Sequence, residues 1–302
     1  MARNTRKVKR FNRTSEDLGN VVALEHVNVR APDQRLSTMF YITGLGLTRD
    51  PYLVTGVLNM WVNVGRSQFH LPTGDPQVVR GRVGLVLPDV EAAVDRLEKL
   101  RKPLADTCFD VKKRNNGGGG AVDVTCPWGN RIRLHRPGPQ FGRMALGMAY
   151  VEFDVPPGAA QGIGRFYEEV MGAPATVRKS GSLHAAQVSV GQGQSLMFKE
   201  TKSALPEYDG HHLQVYVANF SGPYKQLKER GLVSEESDQY QYRFLDIFDP
   251  KNGKVLYQLE HEVRSMTHPL FARPMVNRNP EQSNLAYAPD HDARPWAQPY
   301  GA

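Results

Sequence analysis

The sequence predicts an α+β fold: two tandem domains, each a pair of βαβββ modules forming a curled mixed sheet around a cavity. Three observations predict it. Four segments share one strand pattern, HVNVRAPD at 26, RVGLVLPD at 82, YVEFDVPP at 150 and HLQVYVAN at 212, with starts 56, 68 and 62 residues apart. Each is followed by a stretch with apolar residues at helical spacing. Each helical stretch is then followed by short strands, the last of which read SQFHLP, RIRLHRP, SLMFKE and VLYQLEHEV. One such unit cannot bury both faces of its sheet, whereas two can curl around a common cavity with their helices outside.

The elements follow in order. Each opening strand is an apolar-rich run ending in a turn-forming pair such as Pro32-Asp33 or Pro88-Asp89. Between 33 and 47, Leu36, Met39, Phe40 and Ile42 lie near helical spacing before a glycine stop. From 89 to 100, Asp89 is the expected cap of a helix with Val90, Ala93, Val94 and Leu97 on one face. QGIGRFYEEVMG from 161 and NFSGPYKQLKERG from 219 repeat the scheme. Pairing neighbours gives a basic arm over 1–19, a first domain over 20–137, a Gly/Pro-rich linker over 138–145, a second domain over 146–264 and a Pro-rich tail over 265–302.

Composition narrows the function classes. Of 302 residues, 40% are hydrophobic and 23% charged, the balance of a globular protein. No apolar run is long enough to span a bilayer, and the N-terminus lacks the apolar core of a secretory signal. The two cysteines, Cys108 and Cys126, form no ligand cluster, which fits a reduced, cytoplasmic setting. The net charge of +7 is local: the first 13 residues hold six Lys or Arg and no acid, and the remaining 289 hold 32 basic and 31 acidic residues. A nearly neutral body leaves no broad nucleic-acid footprint.

The duplicated βαβββ unit resembles the vicinal oxygen chelate (VOC) superfamily, which includes glyoxalase I, bleomycin and fosfomycin resistance proteins and extradiol dioxygenases. HVNVRAPD followed by FYITGLGL, and PWGNRIRLH closing the second unit, are the most specific pieces. Four units in one chain are most similar in layout to the extradiol dioxygenases. The resemblance implies a dioxygenase or lyase whose metal is held by the residue opening a unit's first strand and by one in its last strand, typically His, Gln or Glu. Alternate strand positions face the cavity, and a divalent metal needs several N or O donors converging on one point.

In units 1 and 2 the corresponding positions are His26 and Arg82, then Gln68 and Arg133. Guanidiniums cannot ligate a cation and would repel one. A domain made of these units therefore reads as a degenerate metal site. Arg82 and Arg133 would clamp an anion, with His26 and Gln68 as hydrogen-bond partners. The bland alternative pairs both arginines with internal acids such as Glu25 or Asp123. A three-histidine site from His26, His70 and His135 is a further arrangement, because His70 and His135 share strand faces with Gln68 and Arg133.

In units 3 and 4 the positions are Tyr150 and His212, then Ser195 and Tyr257. An iron site of the extradiol kind needs two histidines and a carboxylate; only His212 fits. Tyr150, His212 and Tyr257 are then expected to bind polar groups or to run acid–base chemistry without a metal. The alternative is Fe(II) or another divalent metal on His212 and Glu260, with His211 or His261 nearby, although Glu260 lies an odd three residues beyond Tyr257.

The glycine run 114–120 matches no phosphate-binding pattern and reads as a hairpin tip or a lid. The tail carries six prolines in 38 residues, yet Leu270, Phe271, Met275, Tyr287, Trp296 and Tyr300 are expected to anchor it on the body or on a second copy of the chain. Three functions follow: a small-molecule enzyme or binder with a degenerate metal site and a small anionic ligand; a metal-dependent dioxygenase or lyase with displaced ligands; and a non-catalytic binding module.

Overall fold

The computed structural model describes residues 11–53, 58–113 and 121–277. The four expected units are all present. Unit 1 is β1 (Val21–Asn28), α1 (Gln34–Ser37), β2 (Thr48–Arg49), β3 (Asn59–Val64) and β4 (Ser67–Pro72). Unit 2 is β5 (Gly81–Val86), α2 (Val90–Lys99), β6 (Asp110–Lys113), β7 (Val122–Thr125) and β8 (Arg131–His135). Unit 3 is β9 (Gly147–Val155), α3 (Ala160–Glu169), β10 (Ala175–Ser180), β11 (Leu183–Ser189) and β12 (Ser195–Glu200). Unit 4 is β13 (His212–Val217), α4 (Ser221–Glu229), β14 (Val233–Asp238), β15 (Gln241–Phe248) and β16 (Val255–Ser265).

Local chemistry sets the helix starts. Asp89 accepts from Ala92 N at 2.8 Å, the cap its position predicts, and Asp33, read from the sequence only as part of a turn, likewise caps by accepting from Arg35 N and Leu36 N. α2 buries Val90, Ala93, Val94 and Leu97. α1 differs from a regular helix. It widens over Thr38–Gly44 into five-residue turns, with Leu45 N donating to Phe40 O at 2.9 Å, and Phe40 and Tyr41 become fully buried neighbours.

In every unit the first strand runs parallel to the last, as β1 does to β4 and β13 to β16. The partnership between units corrects the expectation. β1 pairs antiparallel with β13, and β5 with β9. One eight-stranded sheet therefore joins unit 1 to unit 4, in the order β14-β15-β16-β13-β1-β4-β3-β2. The other joins unit 2 to unit 3, in the order β10-β11-β12-β9-β5-β8-β7-β6. The repeat says that units must pair but not which ones, because all four opening strands carry the same apolar pattern.

The two sheets share one contiguous core. Gln194 of unit 3 braces them: its amide accepts from Leu24 N and donates to Leu24 O and Met148 O. The tail does fold back. Phe271 packs on Tyr216 at 4.9 Å, Asn63 donates to Val276 O, and Asn277 pairs with both backbone groups of Gly65. Tyr287, Trp296, Tyr300, the glycine run and residues 1–10 of the basic arm lie outside the described residues. No helix among the described residues is long and apolar enough to cross a membrane.

Candidate metal centre

The seam of the 1–4 sheet carries a dense polar cluster. Parallel register places His26 beside Gln68 and His212 beside Glu260, while antiparallel register places His212 opposite Asn28. Alternation then puts His70 on the face of Gln68 and Glu262 on the face of Glu260. The rings of His26 and His212 meet edge-on at 6.1 Å, and those of His26 and His70 at 5.7 Å. Trp61 of β3 stacks on His70 at 3.7 Å and closes one wall. His26, His212 and Glu262 each offer a ligand atom, all within 4.8 Å of one another, and all three residues are buried.

Carboxylates orient the two histidines. A register shift in β1 between Leu24 and His26 turns Glu25 toward the same cluster. Glu25 Oε2 lies 3.3 Å from His26 Nδ1, and Glu260 Oε2 lies 3.3 Å from His212 Nδ1. A carboxylate at Nδ1 favours the proton there and leaves the Nε2 lone pair free. Both Nε2 atoms are buried and have no hydrogen-bond partner in the protein, although His212 Nε2 is 3.7 Å from Glu262 Oε2.

Two arginines knit the acids together. Arg264 reaches Glu262 Oε1 at 2.6 Å and Glu25 Oε2 at 3.2 Å. Arg243 reaches Glu262 Oε2 at 2.5 Å and Glu260 Oε2 at 3.1 Å. Burial raises the carboxyl pKa of Glu25, Glu260 and Glu262 above the ordinary value, opposed by these arginines. Burial, reinforced by Arg264 and Arg243, pushes His26 far below the usual imidazole range. Burial and then His26 do the same to His212, and bring His70 down to about 2. All three imidazoles are neutral at pH 7, the form that ligates metals.

No family model matches the chain, and no curated protein sequence matches it. Solved structures do. A protein named "putative dioxygenase" from Bacillus subtilis is 13% identical, with a TM-score of 0.55 over 82% of this chain and 86% of that one. Glyoxalase I from Zea mays is 12% identical, with a TM-score of 0.55 over 80% of this chain and 92% of that one. The chain has the vicinal oxygen chelate fold. At such identities the likeness speaks to architecture and leaves the chemistry to be read from the residues.

His26, the register neighbour of Gln68, meets His212 and Glu262 rather than Arg82 and Arg133. Gln68 donates its amide to Asp50 and Asn63, which leaves its Oε1 buried and without a partner. In unit 4 the register of the last strand corrects the expectation by placing Glu260, not Tyr257, beside His212. Tyr257 points to the other face, among Phe153 and Phe198, with the Arg80 guanidinium 4.2 Å from its ring centroid. His211 and His261 are also on that face, bonded to Asp209 at 2.6 Å and Tyr167 at 2.6 Å.

Among the described residues, the seam of the 2–3 sheet brings no such group of donors together. Arg82 pairs with Glu152 at 3.0 Å and Arg133 with Asp123 at 2.6 and 3.0 Å, so the expected anion clamp is spent on internal acids. Tyr150 donates to or accepts from His135 Nε2 at 3.0 Å, and Ser195 is its register neighbour. His135 is thus in a different sheet from His26 and His70, and the three-histidine arrangement of those residues does not form. The sequence pattern did not point to Glu262 or Arg264, and it offered Glu25 only as an internal partner for the arginines of unit 2. The signal was the run Glu260-His261-Glu262-Val263-Arg264, whose alternate residues are all ionic.

Proposed function

We propose that the chain is a metal-dependent enzyme acting on a small organic molecule, with its working centre in the 1–4 sheet. The observation that carries this reading is the pair of buried, unpartnered Nε2 atoms of His26 and His212 beside the Glu262 carboxylate. Leaving such atoms unsatisfied is costly, and a cation satisfies them. Charge agrees: Glu25, Glu260 and Glu262 outnumber Arg243 and Arg264 by one, and the histidines are neutral.

Two histidines and one carboxylate form the donor set of non-haem iron(II) oxygenases, so the residues fit Fe(II), held by His26, His212 and Glu262. When bound, such an ion supplies Lewis-acid activation of a substrate oxygen and a site for dioxygen. Glu25 and Glu260 hold the ligand imidazoles in one tautomer and orientation. Arg264 and Arg243 fix Glu262 and set the charge that the site presents. Trp61 and His70 supply a flat wall that suits a planar substrate and excludes water. The donor set favours this reading over a degenerate metal site, because the arginines behind the latter belong to the other sheet.

The test is anaerobic loading with iron(II), followed by oxygen uptake on a panel of catechols and other small phenols. The expected result is uptake that disappears in His212→Ala. No uptake together with no bound metal would return the chain to the class of metal-free binders.

A further inference from the structure

The tail brings one cation into the 1–4 site that the metal reading leaves unused. Arg273 is largely buried, with a side-chain exposure of 12%. Its Nη2 donates to Asp50 Oδ2 at 2.7 Å, while its Nε and Nη1 are buried with no partner. Asp50 is itself fully buried and also accepts from Gln68 Nε2, and Gln68 is the register neighbour of His26. Asp50 and Gln68 thus link Arg273 to the strand pair that carries the candidate metal ligand His26.

The backbone is constrained to deliver it. Ala272 has φ 53°, and is the one non-glycine with positive φ among the described residues. A left-handed alanine is strained, and it persists here because both flanks are tied down. Phe271 sits on Tyr216, and Val276 and Asn277 are bonded to unit 1. A guanidinium has two flat edges, each able to grip two oxygens. Asp50 uses a single N–H of Nη2, so one edge remains whole.

Resting on the metal-site reading above, we infer that Arg273 is the substrate-recognition residue of this centre and takes a planar carboxylate. Four carboxylates of the cluster (Glu25, Asp50, Glu260, Glu262) face three guanidiniums (Arg243, Arg264, Arg273). A divalent ion and a monocarboxylate together bring that balance to zero, so each favours the other's binding. The anionic ligand expected at Arg82 and Arg133 is thereby moved to the other sheet and to a different arginine.

The experiment is calorimetric titration of the full chain with benzoate and with neutral benzamide, with and without manganese(II). Wild type is expected to bind benzoate and to discriminate against benzamide. Arg273→Met should weaken benzoate on the order of tenfold or more, and Arg273→Lys, which keeps the charge but not the flat edge, about threefold or more. Manganese binding should persist in both variants and vanish in His212→Ala. Thermal melting checks folding; if Arg273→Met does not fold, Arg273→Lys carries the test alone. Wild type that binds no benzoate, or binds benzamide equally well, overturns the inference, as does benzoate affinity unchanged in the folded Arg273 variants. Benzoate binding that depends on Arg273 in a chain that takes up no manganese would sink the metal reading and leave this one standing.

Discussion

At the seam of the 1–4 sheet, β1 and β13 bring His26 and His212 into edge-on contact; at the seam of the 2–3 sheet, β5 and β9 bring Gly84 opposite Tyr150. A Cβ on Gly84 would lie 2.2 Å from the Tyr150 ring, so the tyrosine occupies the space that the glycine leaves. Its hydroxyl is satisfied by His135, and the neighbouring arginines by Glu152 and Asp123. One seam is a closed polar network, and the other keeps imidazole nitrogens and an amide oxygen without partners. The same repeated unit thus yields a structural sheet and a candidate reactive one, and what separates them is polar satisfaction rather than backbone architecture.

Removing one arginine from each seam should give the largest contrast. Arg264→Met strands Glu25 and Glu262 in a buried place and should cost about 3–5 kcal/mol. Arg133→Met releases a more accessible pair and should cost only about 1 kcal/mol. Urea melts of the two variants compare them, and equal losses would erase the distinction between the sheets. Next, Gly84→Ala should cost about 1–3 kcal/mol by overpacking against Tyr150. The loss should shrink in the Gly84→Ala, Tyr150→Ala double variant relative to Tyr150→Ala alone, a coupling that an empty seam would not show.

Smaller effects refine the picture. Tyr150→Phe should cost about 1 kcal/mol through its bond to His135 and leave metal uptake unchanged. The bridge between the two sheets at Arg165 and Asp249 titrates in acid. Arg165 hydrogen bonds hold the Asp249 carboxyl below its ordinary value. Its contribution is therefore complete above the usual carboxylate pKa of about 3.9 and is lost as pH falls through the depressed folded value. Asp249→Asn should cost about 1 kcal/mol at neutral pH and nearly nothing at pH 2, measured by melts across that range.

Much of the architecture was legible in the sequence. The repeat of the opening strands located all four units, and Asp89 marked the start of α2. The pairing of units was not legible, because nothing in a strand such as His212–Val217 distinguishes β1 from β9 as its neighbour. That single ambiguity scattered the site. With unit 1 placed beside unit 2, His26 met arginines; beside unit 4 it meets His212 and Glu262. The register of β16 was equally hidden, since Tyr257 and Glu260 are both plausible on a cavity face until pairing with β13 is known. The shift in β1 that turns Glu25 inward has no signature in residue order.

Metal content of the purified full chain, measured by elemental analysis after incubation with iron(II), manganese(II) or zinc(II) and desalting, decides whether the 1–4 seam holds a metal. About one ion per chain is expected in wild type and in Arg133→Ala. That ion should be lost in His26→Ala and His212→Ala, with affinity down roughly a hundredfold or more. A stoichiometric ion retained in both histidine variants, or no ion in wild type with any of the three metals, would contradict a metal at that seam.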